Sequence, residues 1–315
     1  MAKLETPHRV LVAGATGTIG LAVVRRLVAD GHAVTALLRP STVGSDPEPL
    51  AGADLARAAL RDSDALARVM ADVQPGCIIS CIASRSGAPR DAKAVDFDAN
   101  CALLSAAQAA GARQFILLSA ICVQKPLLAF QHAKLAFEAQ LAASGIDYTI
   151  VRPTAFFKSL SGQVRRVKAG KPFLIFGDGE LTRCKPISDE DLARFIAGCI
   201  DNPETSGRIL PIGGPGPAIS LREQGQLLFD VAGRPPRFKS VSPGLFDYAE
   251  RVLGLGEGVS GWFAEKAEYA RIARYYATES MLVLDPETGR YSADLTPEFG
   301  SDTLRDHYAR LLAEG

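Results

Sequence analysis

Three glycines near the start of the chain have the spacing that a dinucleotide-binding turn requires. Gly14, Gly17 and Gly20 form a G-x-x-G-x-x-G pattern between an apolar run at 9–13 and a stretch with helical apolar spacing. Gly14 permits a tight turn, Gly17 lets main-chain amides approach a pyrophosphate, and Gly20 allows close helix packing. The residues predicted to hold the pyrophosphate are Gly14, Thr16, Gly17, Thr18, Ile19 and Gly20.

The end of the next predicted strand indicates which dinucleotide is bound. Arg39 stands where an NAD-binding protein usually places an acidic residue for the ribose hydroxyls. A guanidinium pairs with a 2′-phosphate and stacks on adenine, so NADPH is predicted over NADH. Ala59 occupies a position where related folds often have an aspartate for the adenine amino group, so the Leu60 backbone is expected to meet adenine.

These residues need a sheet to position them, and the apolar pattern predicts one. Predicted strands at 9–13, 33–38, 77–82, 114–119 and 148–151 alternate with helices, among them 94–110 and 129–143. Buried strands alternating with helices predict an α/β, Rossmann-type doubly wound parallel sheet, with ligands at the carboxyl ends of its strands.

The second half of the chain changes pattern after Pro153. A strand, a glycine-rich turn and a second extended piece are predicted within 171–188, helices at 189–201, 220–231 and over most of 243–280, and a hairpin at 281–292. We therefore expect an NADP-binding domain at 1–153 and a smaller α+β substrate-binding portion at 154–315, interleaved with the first sheet.

Composition limits the class of partner and compartment. Thirty-five basic and thirty-five acidic residues cancel, so no net field attracts nucleic acid or an anionic membrane. No apolar run reaches the roughly 18 residues of a membrane span. Six cysteines in apolar segments suit a reducing cytoplasm, and Cys77 and Cys81 lie too far apart on a strand to share a metal ion. No metal site is predicted, and the sequence leaves the oligomeric state open.

A serine and a lysine then place the chain in a superfamily. With the glycine turn, Ser119 at a strand end and Lys134 in the next helix, the chain resembles the atypical, extended branch of the short-chain dehydrogenase/reductases. That superfamily usually carries Tyr-x-x-x-Lys, whereas Phe130 stands here at the position of the tyrosine. Without that acid, ordinary carbonyl reduction is disfavoured. Two alternatives remain: a non-catalytic NADP binder resembling the NmrA-like regulators, and a reductase whose substrate needs no oxyanion donor.

Long motifs in the second half favour a reductase. LLSAICVQKPLLAFQHAKLAFE, VRPTAFFKSLSGQV, GKPFLIFGDGELTRCKPIS, LPIGGPGPAIS and ARYYATESMLVLDPETGRY together resemble the 8-vinyl reductase family of chlorophyll biosynthesis. The resemblance implies NADPH-dependent reduction of the C8 vinyl group of a 3,8-divinyl (proto)chlorophyllide a to ethyl, in chlorophyll or bacteriochlorophyll synthesis. The N-terminus shows no transit stretch, which favours a bacterial cytoplasmic member. An assembly factor or a reductase of another conjugated alkene remains the alternative.

Such a substrate is a flat apolar disc with a carboxylate and its own magnesium, so its site should be aromatic and locally basic. Lys134 is the first candidate proton donor and Lys158 the second. Lys158, Arg183 or Lys185 is expected to meet the carboxylate. Further residues assigned to the cofactor are Ala83, Ser84, Ser119, Lys134 and Pro153, and those assigned to the substrate are Phe130, Phe156, Phe157, Lys158, Phe176 and Tyr275.

Overall fold

The computed structural model describes residues 7–40, 50, 52–242, 244 and 261–314. The strands are β1 (Arg9–Ala13), β2 (Ala33–Leu38), β3 (Asp54–Arg57), β4 (Cys77–Ser80), β5 (Gln114–Leu118), β6 (Asp147–Pro153), β7 (Phe173–Phe176), β8 (Arg183–Cys184), β9 (Arg208–Ile212), β10 (Ile219–Ser220), β11 (Phe238–Val241), β12 (Val283–Leu284) and β13 (Tyr291–Ser292). The α-helices are α1 (Thr18–Ala29), α2 (Ser63–Val73), α3 (Pro89–Asp91), α4 (Ala99–Ala109), α5 (Ala129–Ala142), α6 (Phe157–Leu160), α7 (Val164–Lys168), α8 (Asp189–Ala197), α9 (Leu221–Val231), α10 (Gly261–Thr278) and α11 (Leu304–Ala313). Within the described helices, none has the length and apolarity that crossing a bilayer demands.

Seven strands form one sheet in the order β3-β2-β1-β4-β5-β6-β9, and every pair in it is parallel. Alternate side chains of its strands enter two different cores. Val10 and Val12 join a cluster with α1 and α8, whereas Leu11 and Ala13 join a cluster with α2, α4 and α5. A sheet covered on both faces explains why its inner strands are mostly apolar rather than alternately polar. The predicted Rossmann-type fold is confirmed.

The second half of the chain contributes to this sheet. Strand β9 pairs with β6, and α8 packs against α1 on one face. A smaller layer is built from the pairs β7–β11 and β8–β10 and a third core around α7, α9 and α11. The division at residue 153 with an interleaved second portion remains our prediction.

Most of the helices and strands predicted in the second half are present, and part of one lies outside the described residues. The strand, turn and extended piece within 171–188 are confirmed as β7 and β8, and the 281–292 hairpin as antiparallel β12 and β13. Helices are found at Asp189–Ala197 and Leu221–Val231. Of the helix expected over 243–280, the part at 261–278 is present, and positions 243 and 245–260 lie outside the described residues.

Two features of the first half differ from the prediction. Strand β3 was not predicted, because its short edge segment DLAR lacks an apolar run. The helix expected at 94–110 is instead the π-helix Ala92–Asp98 followed by α4. A π-helix adds one residue per turn, which the apolar spacing alone does not reveal.

Candidate active site

The glycine turn joins β1 to α1 with a backbone that only glycine allows. Gly14 has φ of +79°, and a Cβ there would lie 2.6 Å from the carbonyl oxygen of Cys81. A Cβ on Gly20 would overlap the carbonyl oxygen of Gly14. The Gly17 amide donates to the Gly14 carbonyl at 3.0 Å, and no side chain caps α1. The first-turn amides are therefore available to an anion, as a bound pyrophosphate requires.

A cleft of about 730 Å³ opens beside this turn at the carboxyl ends of β1, β2 and β4. Its size and position suit the adenosine and phosphates of a dinucleotide. The lining residues that the sequence predicted for the cofactor are Gly14, Thr16, Gly17, Arg39, Leu60, Ala83 and Ser84. The residues present thus fit a nicotinamide dinucleotide, although their contacts with it remain a prediction.

Three arginines make the cleft electropositive. Arg39, Arg61 and Arg85 line it and are exposed. None of their guanidinium groups pairs with another described residue. Sequence reasoning found Arg39 from its position after β2 but missed Arg61 and Arg85, because an isolated arginine in a loop carries no positional signal.

Lys134 lies on α5 beside the cleft and is held by a buried carboxylate. Its Nζ is 3.0 Å from Oδ1 of Asp96, and the two side chains are 11% and 0% exposed. The same oxygen accepts the Ser84 amide at 3.3 Å, which ties the pair to a loop that lines the cleft. Sequence reasoning missed Asp96, since one acidic residue within a helical stretch usually faces solvent.

Ser119 follows β5, but its hydroxyl does not stand free. It donates to Oε1 of the buried Glu138, which also accepts from Arg152. The hydrogen bond therefore ties the Ser119 hydroxyl to Glu138 of α5, which lies one helical turn beyond Lys134. Pro153 is buried at the end of β6, opposite Ile212 of β9.

The phenylalanine that replaces the family tyrosine lies in a small aromatic cluster. Phe130 is half-buried and packs with Cys122, Leu128 and Tyr275. Tyr275 is only 3% exposed, and its hydroxyl donates to the Cys122 carbonyl at 2.9 Å. The predicted substrate contact of Tyr275 is therefore indirect at most in this conformation, because its ring belongs to the core behind Phe130.

The two phenylalanines after β6 have different surroundings. Phe156 is half-buried against the main sheet, whereas Phe157 is 2% exposed and its ring centroid lies 5.4 Å from that of His307. Phe157 is thus a core residue of the second layer. Phe176 is half-buried at the end of β7. Of the three, Phe156 and Phe176 retain surface that a flat apolar ligand can cover.

Lys158 reaches across the molecule to the glycine turn. Its Nζ donates to Oγ1 of Thr18 at 2.6 Å, a contact between residues 140 positions apart. Asp189 lies nearby with one buried, unpartnered oxygen. Burial and the charge of Glu190 raise the pKa of Asp189 to about 6, and Lys158 opposes that rise. The lysine is therefore placed beside the predicted phosphate site.

The other two basic candidates are already engaged. Lys185 is buried and contacts the Glu298 carboxylate at 2.5 Å. Arg183 donates to the Ala218 carbonyl and pairs with Glu180 and Glu223. Neither offers an unpaired charge to a carboxylate ligand in this structure.

Comparison with known proteins agrees with the geometry. Residues 14–203 match the NAD(P)H-binding family. An NADPH-dependent quinone oxidoreductase from Escherichia coli, solved with NADPH, superposes with a TM-score of 0.68 at 18% identity, covering 96% of this chain and 99% of that one. At this identity, the likeness shows the fold alone.

The sequence relatives are much closer. Divinyl chlorophyllide a 8-vinyl-reductase from Oryza sativa subsp. indica is 50% identical over 319 residues, which are 97% of this chain and 79% of the rice protein. The Cucumis sativus protein of the same name is 47% identical over 328 residues, which are 100% of this chain and 78% of the cucumber protein. Both plant proteins are chloroplastic. With a dinucleotide cleft, a lysine in the expected helix and this degree of identity, the chain belongs to the divinyl chlorophyllide a 8-vinyl-reductase family.

Proposed function

We propose that this protein uses NADPH to reduce the C8 vinyl group of a 3,8-divinyl (proto)chlorophyllide a to ethyl, as a step of chlorophyll or bacteriochlorophyll synthesis. One observation carries the proposal beyond the fold. The dinucleotide cleft adjoins a largely buried lysine, Lys134, whose usual phenolic neighbour is replaced by Phe130. Such a site lacks the tyrosine that carbonyl reduction in the superfamily uses, but it suits a conjugated alkene.

Electron delocalisation explains why no tyrosine is required. Bound NADPH supplies a hydride. Addition at the terminal vinyl carbon leaves negative charge on the carbon next to the macrocycle, where it spreads over the large π system. Because the charge is not concentrated on one oxygen, an oxyanion-type donor gives little advantage. The carbon next to the ring still needs one proton to complete the ethyl group.

Lys134 is our candidate for delivering that proton, directly or through water. Its ammonium lies beside the cleft and uses one acceptor, Asp96, among the described side chains. The Ser119 hydroxyl is a weaker candidate, since it is already donated to Glu138. For the substrate we propose Phe156, Phe176 and Phe130 as contact surfaces, with Phe157 and Tyr275 supporting them from the core.

Arg39 should determine the choice between the two nicotinamide cofactors. We expect Arg39→Ala to raise the Kd for NADPH by about 30-fold, the value of one charge-assisted contact to phosphate, and the Kd for NADH by less than about twofold. Calorimetric titration with both nucleotides measures this difference. Arg113→Ala is a matched control, because Arg113 is 72% exposed and precedes β5, at the ends of the strands opposite to the cleft. Equal loss for both nucleotides would remove the 2′-phosphate assignment.

Lys158 should bind the pyrophosphate, which NADPH and NADH have in common. Its contact with Thr18 favours a role at the pyrophosphate over the proton-donor and carboxylate roles considered from sequence. We expect Lys158→Met to weaken NADPH and NADH alike, by about tenfold. Lys171→Met, at an exposed lysine of the second half, is the control. If the variant bound both nucleotides like the wild type but had a raised KM for the pigment, Lys158 would instead be assigned to the substrate carboxylate.

Turnover of the pigment tests the proposed function. Purified protein is incubated with divinyl chlorophyllide a and NADPH, and the Soret band and the product mass are followed. We expect a shift of the band to shorter wavelength, because one double bond leaves the conjugated system, with a gain of two hydrogen atoms. Nucleotide binding without any product would favour the regulator or assembly factor, and activity only on other alkenes would favour a different reductase.

The place of action is part of the same proposal. All six cysteines are free thiols, as suits a reducing compartment. We propose the bacterial cytoplasm as that compartment, without a nucleic-acid partner. Cell fractionation of the source organism, followed by activity measurement in each fraction, tests it.

A further inference from the structure

The carboxylate opposite Lys134 is the most unusual buried group beside the cleft. Asp96 is fully buried, and its Oδ2 has no hydrogen-bond partner among the described residues. A buried ion pair is costly unless the remaining lone pairs are satisfied. A pair kept only for stability would be expected to satisfy both oxygens, so the half-satisfied carboxylate points to a functional role.

The backbone around Asp96 is also irregular. Asp96 lies within the π-helix Ala92–Asp98, which packs against α5, the helix of Lys134. π-helical turns are rare and occur frequently at functional sites, where they redirect a side chain. Here the turn brings a carboxylate to the lysine and to the Ser84 amide at the cleft wall.

Asp96 supplies the counter-charge that Lys134 needs. The thiols of Cys81 and Cys122 also face the lysine, but burial raises the pKa of Cys81 to about 12 and raises that of Cys122, so both stay neutral. Glu138 lies one turn further along α5 and is paired with Arg152. Among these neighbours, Asp96 alone places a carboxylate within ion-pair distance of the Lys134 ammonium.

We propose that Asp96 is a positioning residue for Lys134: it holds the ammonium in a fixed place at the cleft, in a site where phenylalanine replaces the tyrosine neighbour. Lys134 then has two further N–H donors for the cofactor and the substrate. The inference rests on the proposed function for its catalytic consequence, but not for its effect on nucleotide binding.

The affinity for NADPH tests this role without the pigment. Removing the carboxylate leaves the Lys134 ammonium without its ion-pair partner, so in Asp96→Asn the lysine is no longer held at the cleft. We expect this variant to bind NADPH about tenfold more weakly than the wild type. A similar loss is expected in kcat/KM. Asp98→Asn is the matched control, because Asp98 ends the same π-helix but is exposed and pairs with Lys93.

A double-mutant cycle keeps the proposal testable if Asp96→Asn folds poorly. The Lys134→Met, Asp96→Asn double variant contains neither buried charge. If Asp96 acts through Lys134, Asp96→Asn should change NADPH affinity less than twofold when Lys134 is already methionine. Independent, additive losses, or a single Asp96→Asn variant with the NADPH affinity of the wild type, would overturn the proposal. If the wild type binds NADPH with this coupling but leaves the pigment unreduced, the proposed function fails and the role of Asp96 stands.

Discussion

Lys134→Met is expected to lower kcat for pigment reduction by about 10² to 10³-fold, the usual contribution of a positioned acid. Methionine keeps the unbranched stem of the side chain but removes every N–H donor. The substitution leaves Asp96 buried without its partner, so a loss of roughly 3–5 kcal/mol of folding stability is expected as well. Stopped-flow or steady-state rates must therefore be measured well below the lowered Tm.

Two comparisons separate chemistry from stability in this experiment. The double variant Lys134→Met, Asp96→Asn should regain much of the stability but none of the rate. Lys93→Met removes an exposed lysine, 71% accessible, from a neighbouring ion pair and should leave kcat unchanged. A Lys134→Met enzyme with a rate near that of the wild type would exclude this lysine as the proton source.

Gly20→Ala is expected to abolish measurable NADPH binding, raising Kd by at least about 100-fold. The added Cβ would overlap the Gly14 carbonyl oxygen, and since that atom belongs to the backbone, the whole turn must shift. In a displaced turn the backbone amides no longer point at the phosphates. Each charge-assisted hydrogen bond that is lost in this way costs about 1.5–3 kcal/mol of binding free energy. Calorimetry measures the affinity, and circular dichroism checks that the sheet and helices persist.

Gly162→Ala provides the control for this substitution. Gly162 lies in the second half, and a Cβ there would meet nothing within 4 Å. The Gly162→Ala variant should therefore bind NADPH with the affinity of the wild type. If Gly20→Ala bound NADPH within about twofold of the wild type, the role assigned to close packing at this turn would be wrong.

The sequence predicted the parts of the molecule that local patterns specify. The glycine turn was readable because its strand and helix flank it directly, and Arg39 because it follows β2 at the position where Rossmann-type proteins commonly recognise the ribose. The five inner strands of the sheet, β2, β1, β4, β5 and β6, were readable as apolar runs because both of their faces are buried.

The remaining features depend on contacts that local patterns do not contain. Nothing within the sequence of β9 indicates that β6, more than 50 residues earlier, is its partner. The sequence around Asp96 is that of an ordinary helix, in which an acidic residue usually faces solvent. In the structure, the π-helix places Asp96 against Lys134 instead. The contact of Lys158 with Thr18 joins distant segments through the packing of both halves, so the role inferred for that lysine changed.

Aromatic residues show the same limit. The five aromatic residues assigned to the substrate look alike in sequence, yet Phe157 and Tyr275 are buried in separate cores. Phe130, Phe156 and Phe176 keep exposed surface. Residue type predicts burial or a pocket equally well for such side chains, and only packing distinguishes the two.

Isotope transfer tests the central claim most directly. Divinyl chlorophyllide a is reduced with NADPH carrying deuterium at C4 on each face in turn, and in a separate reaction with unlabelled NADPH in D₂O. The product is analysed by mass spectrometry and NMR. We predict that one face of the cofactor delivers one deuterium to the methyl carbon of the new ethyl group, and that solvent delivers one to the carbon next to the ring. An ethyl product without deuterium from either face of NADPH would contradict hydride transfer in this cleft.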